Sequence, residues 1–355
     1  MKTLDACEEC GVPRVVTSEY IWLNNGDIVQ KRDQRHRINL SESENFDPLF
    51  KLIGDSIGSS IEHIVIACVR RGFLSYLRVF LPVDINEQVR SGKADPRSID
   101  DSFREFGPPM GSGVFEFVDM RYEQDQDDYF TVSVTEPYSL PMCAAHHCGA
   151  MEAIFGYDHE VTYSEEAPGV YYLRAFPCKH PDELKGRMIQ EYYEHSKGDI
   201  ELERCGTCGG PKLLSTYHWY LDRGVITEEV SKRRVAVMGP SELEPIFYEL
   251  EVELGETIPG VVVEAQRRFA ITGFYKMDDF SNTDEFRKGL ALRGLGNLRE
   301  LKISRRGLSM RMDNVALPLI LVGMMQGVFD NAVGVNSVVD WQVSEQGDLE
   351  VEVTP

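Results

Sequence analysis

The chain has no surplus of positive charge: 37 Lys and Arg stand against 58 Asp and Glu in 355 residues, a formal net charge of −21. A surface so acidic repels phosphate backbones and anionic lipids, which excludes nucleic acid and membrane surfaces as partners. A long hydrophobic run is also missing. The longest apolar stretch, Val315 to Phe329, is broken by Pro318, Gly323 and Gln326. It is shorter than the roughly 20 residues needed to span a bilayer and predicts a buried helix. The opening residues MKTLDACEECGVP lack the basic start and apolar core of a secretory signal, so a cytoplasmic protein with reduced thiols is expected. No glycine-rich loop follows a strand and opens a helix, since GSG at Gly111 and GLG at Gly294 precede strands. No nucleophile stands beside a recognisable base. What is present is a globular composition, 42% apolar and 10% aromatic, with eight cysteines to be explained.

The sequence repeats itself. At an offset of 198, Cys7, Cys10, Gly11, Pro13, Leu23, Gly26, Ile28 and Arg35 meet Cys205, Cys208, Gly209, Pro211, Leu221, Gly224, Ile226 and Arg233. At 197, Pro48, Phe50, Gly58, Ile61, Val65, Arg70 and Arg71 meet Pro245, Phe247, Gly255, Ile258, Val262, Arg267 and Arg268. Gly111 and Gly113 then meet Gly294 and Gly296, and further on Gly156, Val161 and Gly169 meet Gly334, Val339 and Gly347. The falling offset places two insertions in copy one, one near Asp84 to Phe103 and one at the acidic tip Glu123 to Asp128. That tip lacks the glycine and closing glutamate of a calcium loop and reads as a solvated hairpin turn. The expected organisation is copy one at 1–180, a linker at about 181–203 and copy two at 204–355. Each copy reads as a CxxC knuckle, a short strand pair (Trp22 to Ile28; Trp219 to Ile226), then one long helix with Phe50, Ile53, Ile57, Ile61 and Ile64 on its apolar face. Hairpin strands at 113–122 and 129–135, a helix from Pro141 and closing strands at 159–163 and 170–175 complete an α+β domain present twice about a pseudo-twofold axis.

CEECGVP and CGTCGGP place two thiolates three residues apart on a tight turn, followed by a glycine that lets backbone amides face sulfur. A structural zinc takes four ligands and each copy offers two, so Cys7, Cys10, Cys205 and Cys208 are expected to share one tetrahedral site. An iron–sulfur cluster on the same four thiolates, a redox CxxC and plain unliganded turns remain open alternatives. A second group lies in copy one: Cys143, His146 and His147 stand at i, i+3 and i+4 of a helix, with Cys148 beside them and Cys178 and His180 further on. At an offset of 177, copy two carries Ile320, Gly323, Met324 and Met325 there, so any metal belongs to copy one alone. The bland reading makes the cysteines small core residues. Arg70, Arg71, Arg267 and Arg268 suit a carboxylate or phosphate ligand, or simply a helix C-terminus. Tyr138, Tyr163, Tyr171 and Tyr172 read as packing residues.

Past its knuckle, each copy resembles the ligand-sensing module of phenol- and xylene-responsive activators of aromatic catabolism, which ends in a 4-vinyl reductase domain. The stretches that carry the resemblance are YIWLNNGDIV (20–29), CVRRGF (68–73), MGSGVFEFVDM (110–120), LPMCAAHHCGAMEAIFG (140–156) and VTYSEE (161–166). The resemblance implies a zinc held by a cysteine, a glutamate and two later cysteines. Cys143 and Glu165 fall on the first two positions, Pro168 falls on the third, and Cys178 lies near the fourth, so the site would have to be rebuilt with His146 or His147. Val134 stands nearest the tryptophan of the family's phenol pocket, so phenol sensing is not carried over. An ATPase or DNA-binding domain after copy two is not expected, so the chain is read as distinct from an intact activator.

Three functions follow as expectations. The first is a zinc-containing protein that binds a small molecule or serves as an accessory subunit in aromatic or hydrocarbon metabolism, with a small-molecule ligand or a protein complex as partner. The second is a metalloenzyme with its metal in copy one. The third is a protein-interaction scaffold.

Overall fold

The computed structural model describes residues 5–181, 187–188, 194–274 and 282–355. The chain is α+β, with every sheet antiparallel. The first half runs α1 (Arg14–Glu19), β1 (Tyr20–Trp22), β2 (Ile28–Gln30), β3 (Arg37–Glu42), α2 (Phe46–Ile57), α3 (Glu62–Arg78), α4 (Ile85–Arg90), α5 (Pro96–Arg104), α6 (Gly107–Met110), β4 (Val114–Arg121), β5 (Tyr129–Thr135), α7 (Leu140–Phe155), β6 (His159–Ala167) and β7 (Val170–Pro177). The second runs β8 (Tyr217–Tyr220), β9 (Val225–Glu228), β10 (Arg234–Met238), α8 (Pro240–Leu254), α9 (Ile258–Phe269), α10 (Thr283–Leu292), β11 (Asn297–Ser304), β12 (Gly307–Asp313), α11 (Pro318–Val333), β13 (Val338–Val343) and β14 (Leu349–Thr354).

One six-stranded sheet, β1-β2-β3-β10-β9-β8, crosses the molecule, and β3 pairs with β10 at its centre. Two four-stranded sheets carry the same strand order, β4-β5-β7-β6 and β11-β12-β14-β13. The strands β3, with five of its six residues buried, and β10 are not foreseen from the sequence, although in β3 Ile38 and Leu40 alternate with Arg37, Asn39 and Ser41.

The single long helix expected across Phe50 to Ile64 is two helices. Gly58 adopts φ 78°, a left-handed conformation that closes α2 with its N–H on the Gly54 carbonyl, and the chain restarts at Glu62 as α3. The apolar positions nevertheless continue across the break, with Phe50, Ile53 and Ile61 all buried. Gly255 separates α8 from α9 at the equivalent place.

The halves interlock. α3 packs on α8, α2 packs on α9, and one hydrophobic core takes Ile53, Val65 and Met151 from the first half with Ile246, Val262 and Phe329 from the second. Their join is therefore far larger than a shared knuckle. Cross-half contacts come in reciprocal pairs. Trp22 Nε1–H donates to the Leu292 carbonyl at 2.9 Å and Trp219 Nε1–H to the Pro109 carbonyl at 3.1 Å. Arg37 donates to the Asn314 carbonyl at 2.8 Å and Arg234 to the Glu136 carbonyl at 2.6 Å. Part of the expected linker, 181–203, lies outside the described residues; within the described part, Ile200 N–H donates to the Asn24 carbonyl at 2.8 Å.

Two glycines set how the central helices cross. A Cβ on Gly149 of α7 would stand 2.7 Å from the Arg70 carbonyl oxygen of α3, and one on Gly327 of α11 would stand 2.6 Å from that of Arg267 on α9. These paired approaches correct the alignment of α7 with α11 by one residue. At an offset of 178, Cys143, His146, His147 and Cys148 meet Leu321, Met324, Met325 and Gln326.

Candidate metal centre and ligand cavity

Each CxxC sits on a turn closed by a short antiparallel bridge, Ala6 to Pro13 in one half and Arg204 to Pro211 in the other. Gly11 and Gly209 take φ 74° and 73°, which turns the chain back after the second cysteine. The amides of Cys10 and Glu9 point at the Cys7 sulfur and draw its pKa down to about 7. In the other turn the amides of Cys208 and Thr207 face Cys205. Burial pushes the Cys10 thiol up to about 12.

The four sulfurs converge. Cys7 Sγ lies 3.7 Å from Cys205 Sγ, Cys10 Sγ lies 3.6 Å from Cys208 Sγ, and all four fall within 4.8 Å of one another. A tetrahedral ion bound at about 2.3 Å to each sulfur has S–S edges of about 3.8 Å, close to the two shortest pairs here, so the set could hold one metal ion. Among the described residues this is the one Cys, His, Asp and Glu group that meets that spacing. Glu9 reaches across the junction, accepting from Thr207 Oγ1 at 2.8 Å and from the Thr207 amide at 3.1 Å.

The copy-one group does not assemble. Almost all of α7 is buried, so neighbouring side chains meet different surroundings and their polar atoms are satisfied separately. Cys143 donates to the Ser112 carbonyl at 3.4 Å and Cys148 to the His159 carbonyl at 3.2 Å. Burial raises both thiols, that of Cys143 to about 12. His147 Nε2–H donates to the Phe130 carbonyl at 3.0 Å, and burial lowers its pKa to about 4. His146 Nε2 lies 2.5 Å from Glu242 Oε2. Glu165 accepts from the Gly169 amide in the β6–β7 hairpin, and Cys178 pairs with His180 at 3.5 Å.

The arginines are likewise committed. Buried Arg70 pairs with Glu152, and Arg267 pairs with Asp330 at 2.6 Å and with Glu264 at 2.9 Å. Arg268 meets Glu264 at 2.8 Å, and Arg71, whose pKa burial lowers, is also engaged. At the acidic tip, Asp128 accepts from the amides of Glu123, Gln124 and Asp125 while Arg121 binds the neighbouring carboxylates. This is a hairpin turn held by its own backbone.

A cavity of about 580 Å³ opens in the first half, between α3, α7, the first turn of α8 and the inserted helices α4 and α5. Its wall is largely apolar and aromatic, including Phe73, Tyr76, Phe80, Phe103 and Met110. His146, His147 and Glu242 also line it, with the His146 ring stacked on Phe73 at 4.3 Å. Large, mostly apolar cavities with a few converging polar groups are the usual form of small-molecule sites. In the second half, where Glu42, Arg293, Leu295 and Met324 are the counterparts of its lining, the described residues line a space of about 30 Å³. There Arg293 replaces Met110, Leu295 replaces Ser112, Met324 replaces His146, and Glu42 replaces Gly239. Arg293 fills the space by donating to Glu42 at 2.8 Å and to the Leu40 carbonyl at 3.0 Å.

Sequence reasoning missed Glu242, Tyr20, Tyr76 and the Asp100–Arg104 pair of the cavity wall. A signal did exist: α4 and α5 are the segment that copy one holds in excess, and inserted segments beside a duplicated core often carry what distinguishes the copies. No protein-family profile, curated protein or solved structure matches the chain.

Proposed function

We propose that the chain is a zinc-containing small-molecule-binding protein, a sensor or accessory subunit serving aromatic or hydrocarbon metabolism in the reduced cytoplasm. In this reading it is a tandem duplication of the 4-vinyl reductase type about a pseudo-twofold axis. The recurring strand order of the two four-stranded sheets and the reciprocal contacts support the duplication. At a twofold axis equivalent residues touch one another. Cys7 meets Cys205, Cys10 meets Cys208, Glu9 meets Thr207, and Leu40 pairs in register with Val237. For the metal, sulfurs within 4.8 Å suit a single ion better than a four-iron cluster, in which each thiolate binds a different iron.

The observation that carries the reading is the cavity of about 580 Å³ in the first half, against a space of about 30 Å³ lined by the described residues around Glu42, Arg293, Leu295 and Met324 in the second. The polar atoms of Cys143, His147 and Cys148 bond to main-chain carbonyls, which favours binding over metal-based catalysis there. Extraction of the purified native protein followed by mass spectrometry tests the proposal. One retained small molecule per chain is expected, and the double variant Ser112→Leu, His146→Met, which copies the filled half, should lose it. Retention of two molecules per chain, or undiminished retention by the variant, would contradict the assignment.

A further inference from the structure

The cavity's own chemistry narrows its occupant, an inference that rests on the ligand-binding reading above. Its two lining arginines are already paired with carboxylates, and its lining carboxylates accept hydrogen bonds from within the wall. Arg104 Nε–H donates to Asp100 at 2.6 Å, Arg32 pairs with Glu19 at 3.4 Å, and Glu242 accepts from the Gly239 amide at 2.9 Å beside His146. Asp95 caps α5, accepting from Ser98 Oγ at 2.6 Å and from two amides. An anionic ligand would therefore lose its hydration without gaining a free counter-charge, a loss that outweighs apolar contact.

Size gives a second restriction. The cavity of about 580 Å³ is roughly four times the 150 Å³ space that accommodates one benzene. A single ring would leave most of the wall unfilled and forfeit its dispersion contacts.

His147 gives the third. His147 Nε2–H is spent on the Phe130 carbonyl, so its Nδ1 is left as a hydrogen-bond acceptor on a ring that lines the cavity. Burial keeps that ring neutral down to about pH 4, so the acceptor persists at ordinary pH.

We infer that the cavity takes a lipophile without negative charge, with the bulk of several fused rings and one hydrogen-bond donor, a hydroxyl or N–H, addressed to His147. Fluorescence titration of the whole chain with 1-hydroxypyrene, 1-methoxypyrene, 1-pyrenecarboxylate and phenol tests this. The hydroxypyrene should bind about tenfold more tightly than the methoxy ether and the carboxylate, one hydrogen bond's worth of preference or one uncompensated charge. Phenol should bind more weakly than all three. In His147→Phe the preference for hydroxyl over methoxy should fall to near one; a preference that persists there overturns the assignment to His147, and the wild-type series stands whether or not that variant folds. A carboxylate that binds as tightly as the hydroxypyrene, or a phenol that binds more tightly, overturns the ligand class while leaving a binding cavity. Binding of none of the four overturns the ligand-binding reading together with the inference.

Discussion

Arg70 and Arg267 end as structural residues because each faces a carboxylate one helix away, and that carboxylate has a second duty. Glu152 accepts the His159 amide at 3.0 Å and Asp330 accepts the Ser337 amide at 2.9 Å, so each ion pair also anchors the strand that follows its helix. The arginines were legible as a recurring pair, but Glu152 and Asp330 differ in type, and their shared role emerges only when the helices cross. Glu152→Gln leaves a buried guanidinium without its counter-charge and should destabilise the fold by about 3–5 kcal/mol in urea titration. The acid limb of stability belongs to the same scale. His147 and His159 are both lowered to about 4 by burial, so the folded chain keeps them neutral while the unfolded chain protonates them below about pH 6.5. Their contribution is present above that pH and is lost as pH falls toward 4, at roughly 1.4 kcal/mol per pH unit for each. Asp100, raised by burial to about 6, works in the opposite sense: its protonation stabilises the folded chain as pH falls from 6 toward 4. Chemical denaturation at a series of pH values should show a net fall in stability across this range, and His147→Gln with His159→Gln should reverse its slope.

Helices α7 and α11 cross their partners at glycine because only a missing Cβ lets the backbones approach so closely. Gly149→Ala and Gly327→Ala should each cost about 1–3 kcal/mol by forcing the helices apart. Gly289, inside α10 with open space where a methyl group would stand, provides the contrast: Gly289→Ala should stabilise by up to about 1 kcal/mol. Thermal melts of the three variants distinguish crossing glycines from ordinary helical ones. Much at this scale was readable. The hairpins, the closing strands and the helix from Leu140 follow from periodicity and turn residues. The α2–α3 break did not, because Gly58 looks like any helical glycine until its φ is known, and β3 was missed although Ile38 and Leu40 alternate there with Arg37, Asn39 and Ser41.

At the scale of the whole molecule, the knuckles were legible because metal chemistry demands particular side chains at a particular spacing, and two CxxC half-sites at a matching offset point to one full site. The cavity was not, because it is a difference between near-equivalent halves: Met110, Ser112 and Gly239 leave space that Arg293, Leu295 and Glu42 fill. The copy-one Cys/His group misled for the opposite reason, since ligand-type residues on a buried helix bond most cheaply to nearby carbonyls. If the metal ties the halves together at their junction, binding contributes directly to folding. Its removal should therefore lower the stability of both halves at once. The most direct test is elemental analysis of the purified chain with acid-labile sulfide measured alongside. The account predicts one zinc per chain, no sulfide, and loss of the zinc in Cys7→Ser with Cys205→Ser while His146→Ala leaves it in place. Iron with sulfide, two metals per chain, or zinc that survives the double cysteine change would contradict it.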